Sequence, residues 1–325
     1  MSRRAITKYC CLLSLMGLSF LKGAMAETYP NQPIKIILPY PAGGGTDVLT
    51  RLVAQEMSKS LGQTIIVLNR PGAGGKIGIL AAKKEKPDGY TMVISSTSTM
   101  AIYPAIDAKL GYDPVHDFTH AGLIASTPGV LLATPSLPAN NLKELNQVLK
   151  AKPASYTIGS GTPTAFLAAE LYKKAIQADV QTINYNGSPP LLLDLIPGRT
   201  HLTFMIAGAA IPEIKNGRAK AIAVTGERRI PQLPDVATMK ESGMAQVDAT
   251  TWIGLAFPKG VPDVAVKTVN AALNQALAKP QVIERLADLG YFIDGGSPQR
   301  HAKTVETELV HWAKAYKDAG SPPLQ

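Results

Sequence analysis

The residues best suited to binding a ligand follow a short apolar run, Ile34 to Leu38. The next segment reads Pro39-Tyr40-Pro41-Ala42-Gly43-Gly44-Gly45-Thr46-Asp47. Three consecutive glycines let backbone N–H groups approach a ligand, because no Cβ stands in the way. Apolar residues at helical spacing from Val48 to Leu61 predict a helix whose first N–H groups lack partners. Such a helix start attracts carboxylate or phosphate groups, although a plain tight turn would also use these glycines.

Three further loops offer hydroxyl and amide groups but no strong acid or base. They are Ser95 to Thr99, Gly159 to Thr162 and Tyr185 to Ser188. Each follows a predicted strand, and ligands of open α/β sheets bind beyond the carboxyl ends of the strands. Neutral donors of this kind are suited to surrounding an anion. Each loop could equally be a turn, because Ser and Gly favour turns.

A second glycine-rich loop, Asn69 to Gly78, invites a nucleotide-binding interpretation that its residues do not support. A phosphate-binding P-loop would need Gly at position 70 and Ser or Thr at position 77, where this chain has Arg70 and Ile77. A dinucleotide fingerprint would need Gly at position 77 as well. We therefore favour a rigid structural loop and expect no nucleotide cofactor.

Residues arranged for catalysis or metal binding are not evident. The five histidines show no metal-ligand spacing; His116 and His120 are four apart but lie in a segment rich in Pro and Asp. No G-x-S-x-G elbow occurs, since Ile158 stands where that motif would place its first Gly before Ser160. We expect no metal, no cofactor and no catalytic centre.

The segments that position these loops alternate between strands and helices. The first run predicts strands at 34–38, 64–68 and 91–95, with helices at 48–61 and 76–84. The second predicts strands at 130–133, 156–158, 180–185, 201–205 and 220–225, with helices at 142–151, 165–176, 189–196 and 209–216. Apolar strands separated by helices indicate an α/β fold with parallel-rich sheets covered by helices.

Three closing helices, at 263–278, 281–289 and 299–319, have no sheet of their own, and we expect them to pack on the first lobe. The chain would then cross between lobes near Ile124-Ala125 and near Thr250-Thr251. This predicts lobe 1 at 27–124 plus 251–325 and lobe 2 at 125–250. Two lobes joined by two crossings form a hinged clamp.

Residues 1–26 have the three parts of a secretory signal peptide. A basic start precedes an apolar stretch at 9–21, and Ala24-Met25-Ala26 predicts cleavage after Ala26. Both cysteines, Cys10 and Cys11, lie inside this segment. We therefore expect an exported, soluble chain without disulfides or thiol chemistry.

The charge pattern does not favour a nucleic-acid partner. The formal net charge is +9, from 33 Lys and Arg against 24 Asp and Glu. Four of the basic residues lie in the predicted signal peptide, which leaves 29 against 24, or +5. The remaining bases are scattered, with no basic stripe interleaved with aromatic residues.

Read in order, these loops resemble those of the Bug-type receptors, the solute-binding components of tripartite tricarboxylate transporters. Besides Pro39 to Asp47, the similarity is carried by Tyr29-Pro30 with Pro33-Ile34, Asn69 to Gly75 with Ile77-Gly78, Pro87 to Thr91, Tyr112 to Pro114 with Asp117-Phe118, Pro135 to Pro138, Ala221 to Thr225, Leu233 to Val236, and Ala287 to Gly290. The similarity covers nearly the whole chain after the predicted signal peptide.

The resemblance implies a periplasmic binding protein of the two-lobed, type II Venus-flytrap kind. It implies a monomer that captures a small carboxylate, aromatic or dicarboxylic, and delivers it to membrane permease subunits. A ligand-sensing receptor for a signalling partner remains an alternative, as does an exported enzyme on the same scaffold. The implied ligand-binding residues are Tyr40, Pro41, Ala42, Gly43, Gly44, Gly45, Thr46, Asp47, Ser96, Thr97, Ser98, Ser126, Thr127, Ser160, Gly161, Thr162, Tyr185, Asn186, Gly187 and Met205.

The chain departs from the family pattern on the side of the second lobe. Members commonly carry Asp after the Phe of the fourth second-lobe strand, whereas here Met205 follows Phe204. A common Asn is replaced by Gly161. Since an acid and an amide are missing, we expect this side of the site to be less polar and the far end of the ligand to be apolar or aromatic.

Overall fold

The computed structural model describes residues 29–320, and its strands form two sheets. The first sheet contains β1 (Ile34–Leu38), β2 (Ile65–Asn69), β3 (Thr91–Ser96), β4 (Phe118–Thr127), β10 (Thr251–Pro258) and β11 (Phe292–Ile293). The second contains β5 (Gly129–Ala133), β6 (Thr157–Ser160), β7 (Gln181–Asn184), β8 (Leu202–Ile206) and β9 (Lys220–Val224). The strand orders are β11-β4-β10-β3-β1-β2 and β7-β6-β8-β5-β9.

The helices cover both sheets. They are α1 (Gly45–Leu61), α2 (Lys76–Lys83), α3 (Tyr103–Ile106), α4 (Leu142–Ala151), α5 (Pro163–Ile176), α6 (Ser188–Leu195), α7 (Ala207–Lys215), α8 (Asp263–Leu277), α9 (Pro280–Asp288) and α10 (Pro298–Ala319). A 3-10 turn at Ala73–Gly75 precedes α2, and a π-helical segment at Ser98–Ile102 precedes α3.

Each sheet combines parallel and antiparallel strand pairs. In the first sheet β1 runs parallel to β2 and β3, while β10 is antiparallel to β3 and β4, and β11 is antiparallel to β4. In the second sheet β6 runs parallel to β7 and β8, while β5 is antiparallel to β8 and β9. The predicted α/β class with two sheets flanked by helices is therefore confirmed, but the sheets are mixed rather than parallel-rich, because β10 and β5 run against their neighbours.

The strands bury apolar side chains on both faces. In β1, Ile34 and Ile36 pack into a core shared with α1, α8 and α9, whereas Ile37 packs into the core on the opposite face. That opposite core continues into the second sheet, where it includes Leu131 and Ala133 of β5. One apolar core thus runs from the first lobe into the second.

Helix α1 carries its first turn to the space between the lobes. Its apolar stripe, with Leu49, Val53 and Met57, is fully covered by the first lobe. Gly62 ends the helix in the left-handed conformation, φ 63°, which glycine adopts without steric cost. The buried stripe therefore fixes the helix axis, and with it the direction of the free N–H groups at its start.

The closing helices pack as the sequence predicts, with one addition. Helices α8 and α9 share the first-lobe core with α1. Helix α10 contacts β4 of the first sheet and also α5 of the second lobe, and Lys174 of α5 donates to the Asp318 carbonyl. The last helix therefore connects the two lobes.

The sequence did not predict β4, β10, β11 or α3. Strand β4 contains Gly122 and His120, which interrupt the apolar pattern. The structure explains Gly122, because a Cβ there would lie 2.9 Å from Asn270 Nδ2 and 3.0 Å from Leu273 Cδ2 of α8. The predicted lobe boundaries at 124/125 and 250/251 stay a prediction; β4 runs through the first, and β10 begins at the second.

Between residues 29 and 320, no helix combines the length and the apolar character needed to cross a membrane. The predicted signal peptide and its cleavage site lie outside the described residues.

Candidate functional site

A cavity lies between the lobes where loops from both sheets meet. It contains about 660 Å³ of empty space, including its open mouth. The first-lobe side consists of Tyr40, Pro41, Gly44, Gly45, Thr46, Ser96, Ser98 and Thr251. The second-lobe side consists of Gly161, Thr162, Ala165, Gly187, Ser188, Pro189, Leu191, Phe204, Met205 and Ile206. None of these lining residues carries a charged side chain.

The start of α1 presents unpaired backbone donors to this cavity. Gly44 is the N-cap, with no side chain to bond the first turn. The first backbone bonds of the helix run from Asp47 and Val48 to the Gly44 carbonyl, so the N–H groups of Gly45 and Thr46 have no acceptor within residues 29–320. Free donors at the positive end of a 17-residue helix form an anion site.

Asp47 holds the loop that leads into this helix rather than facing the cavity. Its Oδ2 accepts the Gly43 N–H at 3.0 Å, and its Oδ1 accepts from Arg51 Nε and from Asn69 Nδ2, each at 3.0 Å. Burial raises the pKa of this carboxyl, but the hydrogen bonds from Arg51, Asn69 and Gly43 outweigh it and hold the pKa below its ordinary value. The carboxylate is therefore ionised at neutral pH and fixes the glycine loop.

Hydroxyl groups complete the first-lobe side. The Tyr40 hydroxyl lies 2.6 Å from the Ser96 hydroxyl, which in turn lies 3.2 Å from that of Thr99. Burial raises the pKa of Tyr40, and hydrogen bonds from Ser96, Ser98 and Thr99 offset this only in part. The phenol therefore stays protonated at neutral pH and can donate to an anion.

Close contacts join the lobes around the cavity. The Ser98 hydroxyl lies 2.7 Å from the Thr164 hydroxyl at the start of α5. A Cβ at Gly45 would lie 3.0 Å from Ile206 Cδ1 and 3.1 Å from Ala209 N. The lobes therefore approach each other closely here, and a side chain at position 45 would require its neighbours to move by a few tenths of an ångström.

Gly187 is a second position where the approach of the lobes requires glycine. Its φ is 104°, which disfavours any other residue, and a Cβ there would lie 2.7 Å from Pro41 Cγ. Gly161 lies directly beside it, because a Cβ at Gly161 would be 2.9 Å from the Gly187 carbonyl carbon. The second-lobe backbone therefore comes close to the first-lobe glycine loop.

Many residues expected at the site do line this cavity. They are Tyr40, Pro41, Gly44, Gly45, Thr46, Ser96, Ser98, Gly161, Thr162, Gly187 and Met205. Ala42 and Gly43 are exposed on the same loop. Thr97 is fully buried, and its hydroxyl accepts the Trp252 N–H at 3.0 Å. Like Asp47, these three residues lie behind or beside the cavity rather than in its wall.

The remaining expected residues face other spaces. Ser160, Tyr185 and Asn186 line a second cavity, which also contains a 2.6 Å ion pair between Lys76 and Asp107 and shares Gly161 and Thr162 with the first. Ser126 and Thr127 border a third cavity near the crossings between the lobes. Thr127 donates there to the Gly290 carbonyl at 3.0 Å.

The sequence missed the apolar part of the wall. Ala165, Leu191, Phe204 and Ile206 lie on three different elements, α5, α6 and the end of β8, and their types carry no chemical signal. Thr251 and Pro189 were missed as well, whereas Ser188 belongs to the expected loop that begins at Tyr185. The one available signal was position, since each element begins or ends at the same edge of its sheet.

The chemistry of the cavity is that of neutral hydrogen bonding. Its wall holds no carboxylate, imidazole, amine or thiol that could act as acid, base or nucleophile. Within residues 29–320, no three His, Cys, Asp or Glu side chains come together as metal ligands. The buried pair His120 and His301 lies elsewhere, with ring centroids 4.5 Å apart.

Comparison with known proteins gives one family. A model described as tripartite tricarboxylate transporter family receptor matches residues 49–320. The protein BugT of Bordetella pertussis is 30% identical over 318 residues, which cover 95% of this chain and 98% of BugT. The solved structure of the periplasmic binding protein BugD is 31% identical, with a TM-score of 0.86, over 90% of this chain and 99% of BugD.

A solved R. palustris protein with adipate is also similar: 32% identical, with a TM-score of 0.88, over 91% of this chain and 100% of that protein. The resemblance to Bug-type receptors and the expected two-lobed fold of periplasmic binding proteins are therefore confirmed.

Proposed function

Because the chain belongs to the receptor family of tripartite tricarboxylate transporters, it is a solute-binding protein, and we propose that it captures a small carboxylate between its lobes. The carboxylate lies at the start of α1, where it accepts from the backbone N–H groups of Gly45 and Thr46. The Tyr40 hydroxyl donates from the floor of the cavity. The related R. palustris protein with adipate supports a carboxylate as the class of ligand.

The observation that carries this proposal is the pair of unpaired N–H groups in a cavity wall without charged side chains. An anion taken from water needs hydrogen-bond donors to replace its hydration. Backbone N–H groups held by a fixed helix supply them without reorganisation, and the helix dipole adds to the attraction. Closure of the lobes strengthens these bonds, since water leaves the site.

The hydrogen bonds that fix the glycine loop also support a carboxylate site at the start of α1. Asp47 is itself an anion, yet its two oxygens point to Gly43, Arg51 and Asn69. Its charge is therefore compensated locally and does not occupy the free N–H groups of α1. The loop is fixed in shape before any ligand arrives, which lowers the entropic cost of binding.

We further propose that the chain works in the periplasm after cleavage behind Ala26 and hands its solute to membrane permease subunits as a monomer. Its relative BugD is a periplasmic binding protein. A sensing role, in which the closed form is presented to a signalling partner, would use the same cavity. An enzymatic role has less support, because the cavity wall offers no carboxylate, imidazole, amine or thiol.

A neutral analogue of equal size tests the proposal. Thermal unfolding is followed with hexanoate and with hexanamide, which differ in the charge of one group. A ligand at 100 times its Kd adds about 2.7 kcal/mol to the free energy of unfolding. We expect hexanoate to raise the Tm and hexanamide to leave it unchanged. Equal stabilisation by both, or by hexanamide alone, would contradict capture of an anion.

A further inference from the structure

We infer that this site selects a monocarboxylate with an apolar tail and discriminates against solutes that carry a second charge, whether carboxylate or ammonium. The inference rests on the proposed function, since it assumes that a carboxylate binds at the start of α1. It concerns the opposite side of the cavity, which is formed by the second lobe.

The second-lobe wall is apolar in its depth. Phe204, Met205 and Ile206 form the end of β8, and Ala165 and Leu191 adjoin them from α5 and α6. Phe204 and Met205 are 2% and 4% exposed, so each packs into the second-lobe core and shows one edge to the cavity. An apolar tail that contacts this wall is removed from water, and this burial of apolar surface stabilises the bound state.

The polar backbone of the second lobe lies beside the first-lobe loop instead. Gly187 meets Pro41, and Gly161 meets Gly187, as the close approaches at these glycines show. Thr162 is engaged within its own lobe, because its hydroxyl oxygen accepts the Ala165 N–H at 3.2 Å and caps α5. The second-lobe backbone at these glycines therefore lies beside the first-lobe loop, whereas the wall at Phe204, Met205 and Ile206 consists of apolar side chains.

A second charge on the solute would meet no counterpart. The cavity wall has no Lys or Arg to pair with a second carboxylate and no Asp or Glu to pair with an ammonium. The Asp47–Arg51 pair is engaged in holding the glycine loop, and Lys76 and Asp107 of the second cavity pair with each other at 2.6 Å. A polar group buried without partners costs about 1–3 kcal/mol in proteins, and a charge costs more. This predicts binding weaker by at least about tenfold.

Three solutes of equal chain length test the inference by calorimetry on the natural chain. Hexanoate ends in a methyl group, adipate in a second carboxylate and 6-aminohexanoate in an ammonium. We expect hexanoate to bind at least about tenfold more tightly than either of the others. Adipate or 6-aminohexanoate binding as tightly as hexanoate would overturn the inference and leave carboxylate capture standing. Binding of none of the three would overturn carboxylate capture itself.

Substitution at Met205 locates the selectivity on the second-lobe wall. Met205→Asp places a carboxylate there, so the affinity for 6-aminohexanoate relative to hexanoate should rise at least about tenfold. Met205→Leu keeps the wall apolar and should retain the preference for hexanoate. An unchanged ratio in a folded Met205→Asp protein would contradict the assignment. Should that variant not fold, the three solutes on the natural chain still decide.

Discussion

Replacing Gly45 with alanine places a methyl group where the two lobes meet. A side chain at position 45 would meet close neighbours, because a Cβ would lie 3.0 Å from Ile206 Cδ1, 3.0 Å from the Tyr291 hydroxyl and 3.1 Å from Ala209 N. Carbon atoms in ordinary contact are about 3.5–4.0 Å apart. Ile206 and Ala209 of the second lobe must therefore move away by a few tenths of an ångström to admit the methyl group.

The cost falls on closure and hence on ligand binding. Overpacking of this kind costs about 1–3 kcal/mol, which corresponds to a Kd increased about 5- to 150-fold. In the unliganded protein, opening of the lobes moves Ile206 and Ala209 away from position 45 and so removes this contact. Alanine within a helix is about 0.5–1 kcal/mol more stable than glycine, so the Tm without ligand should not fall.

Calorimetry with hexanoate and thermal unfolding without ligand measure the two effects separately. Gln55→Ala serves as the control, because Gln55 is exposed on the same helix, and it should leave the Kd unchanged. Adding Ile206→Val to Gly45→Ala removes the Cδ1 atom and should restore part of the affinity. A Gly45→Ala protein with natural affinity for hexanoate would refute the close approach of the lobes in the bound state.

Three further predictions concern stability. Burial lowers the pKa of His120 to about 4 and that of His301 well below its ordinary value. The unfolded chain takes up these protons near pH 6.5, so the free energy of unfolding should fall between pH 6.5 and 4, by about 3 kcal/mol for His120 alone. The urea midpoint should fall over the same range, and it should fall less in His120→Leu. A midpoint independent of pH would contradict this. Asp47→Asn should lower the free energy of unfolding by about 1–3 kcal/mol at pH 7 and weaken hexanoate binding. Because the pKa of Asp47 is lowered in the folded state, the difference in stability between the two proteins should shrink below about pH 4. A difference that persists at lower pH would argue against an ionised Asp47. Asn141→Ala removes the acceptor for the Glu144 N–H at 3.0 Å and should lower the free energy of unfolding by about 1 kcal/mol. The Kd for hexanoate should not change; a change would show that Asn141 is coupled to the cavity, which no contact in the structure explains.

The fold could be predicted from local pattern wherever that pattern was complete. Strand β1 and helix α4 have the predicted bounds, and α1 ends at Gly62 as expected. Strand β4 could not be predicted, because Gly122 follows from the packing of α8 and not from any neighbour in sequence. The connection of the lobes by α10 likewise depends on tertiary contacts alone.

The candidate site was predictable on its polar side. The glycine loop and the hydroxyls of Tyr40, Ser96 and Ser98 line the cavity, since their types already indicate turns and donors. The apolar wall was not predictable, because Leu191 has the type and spacing of any core residue. Tyr185 lies apart from the other expected residues: its hydroxyl lies 2.6 Å from that of Thr200 and the residue lines the second cavity, so its contact with a ligand stays a prediction.

A crystal structure of the chain grown with saturating hexanoate tests the central claim most directly. We expect a carboxylate oxygen within about 3.2 Å of the backbone nitrogen of Gly45 or Thr46, with the hydrocarbon tail against Phe204 and Met205. A carboxylate bound beside Lys76 in the second cavity, with the first-turn N–H groups of α1 left to water, would contradict it.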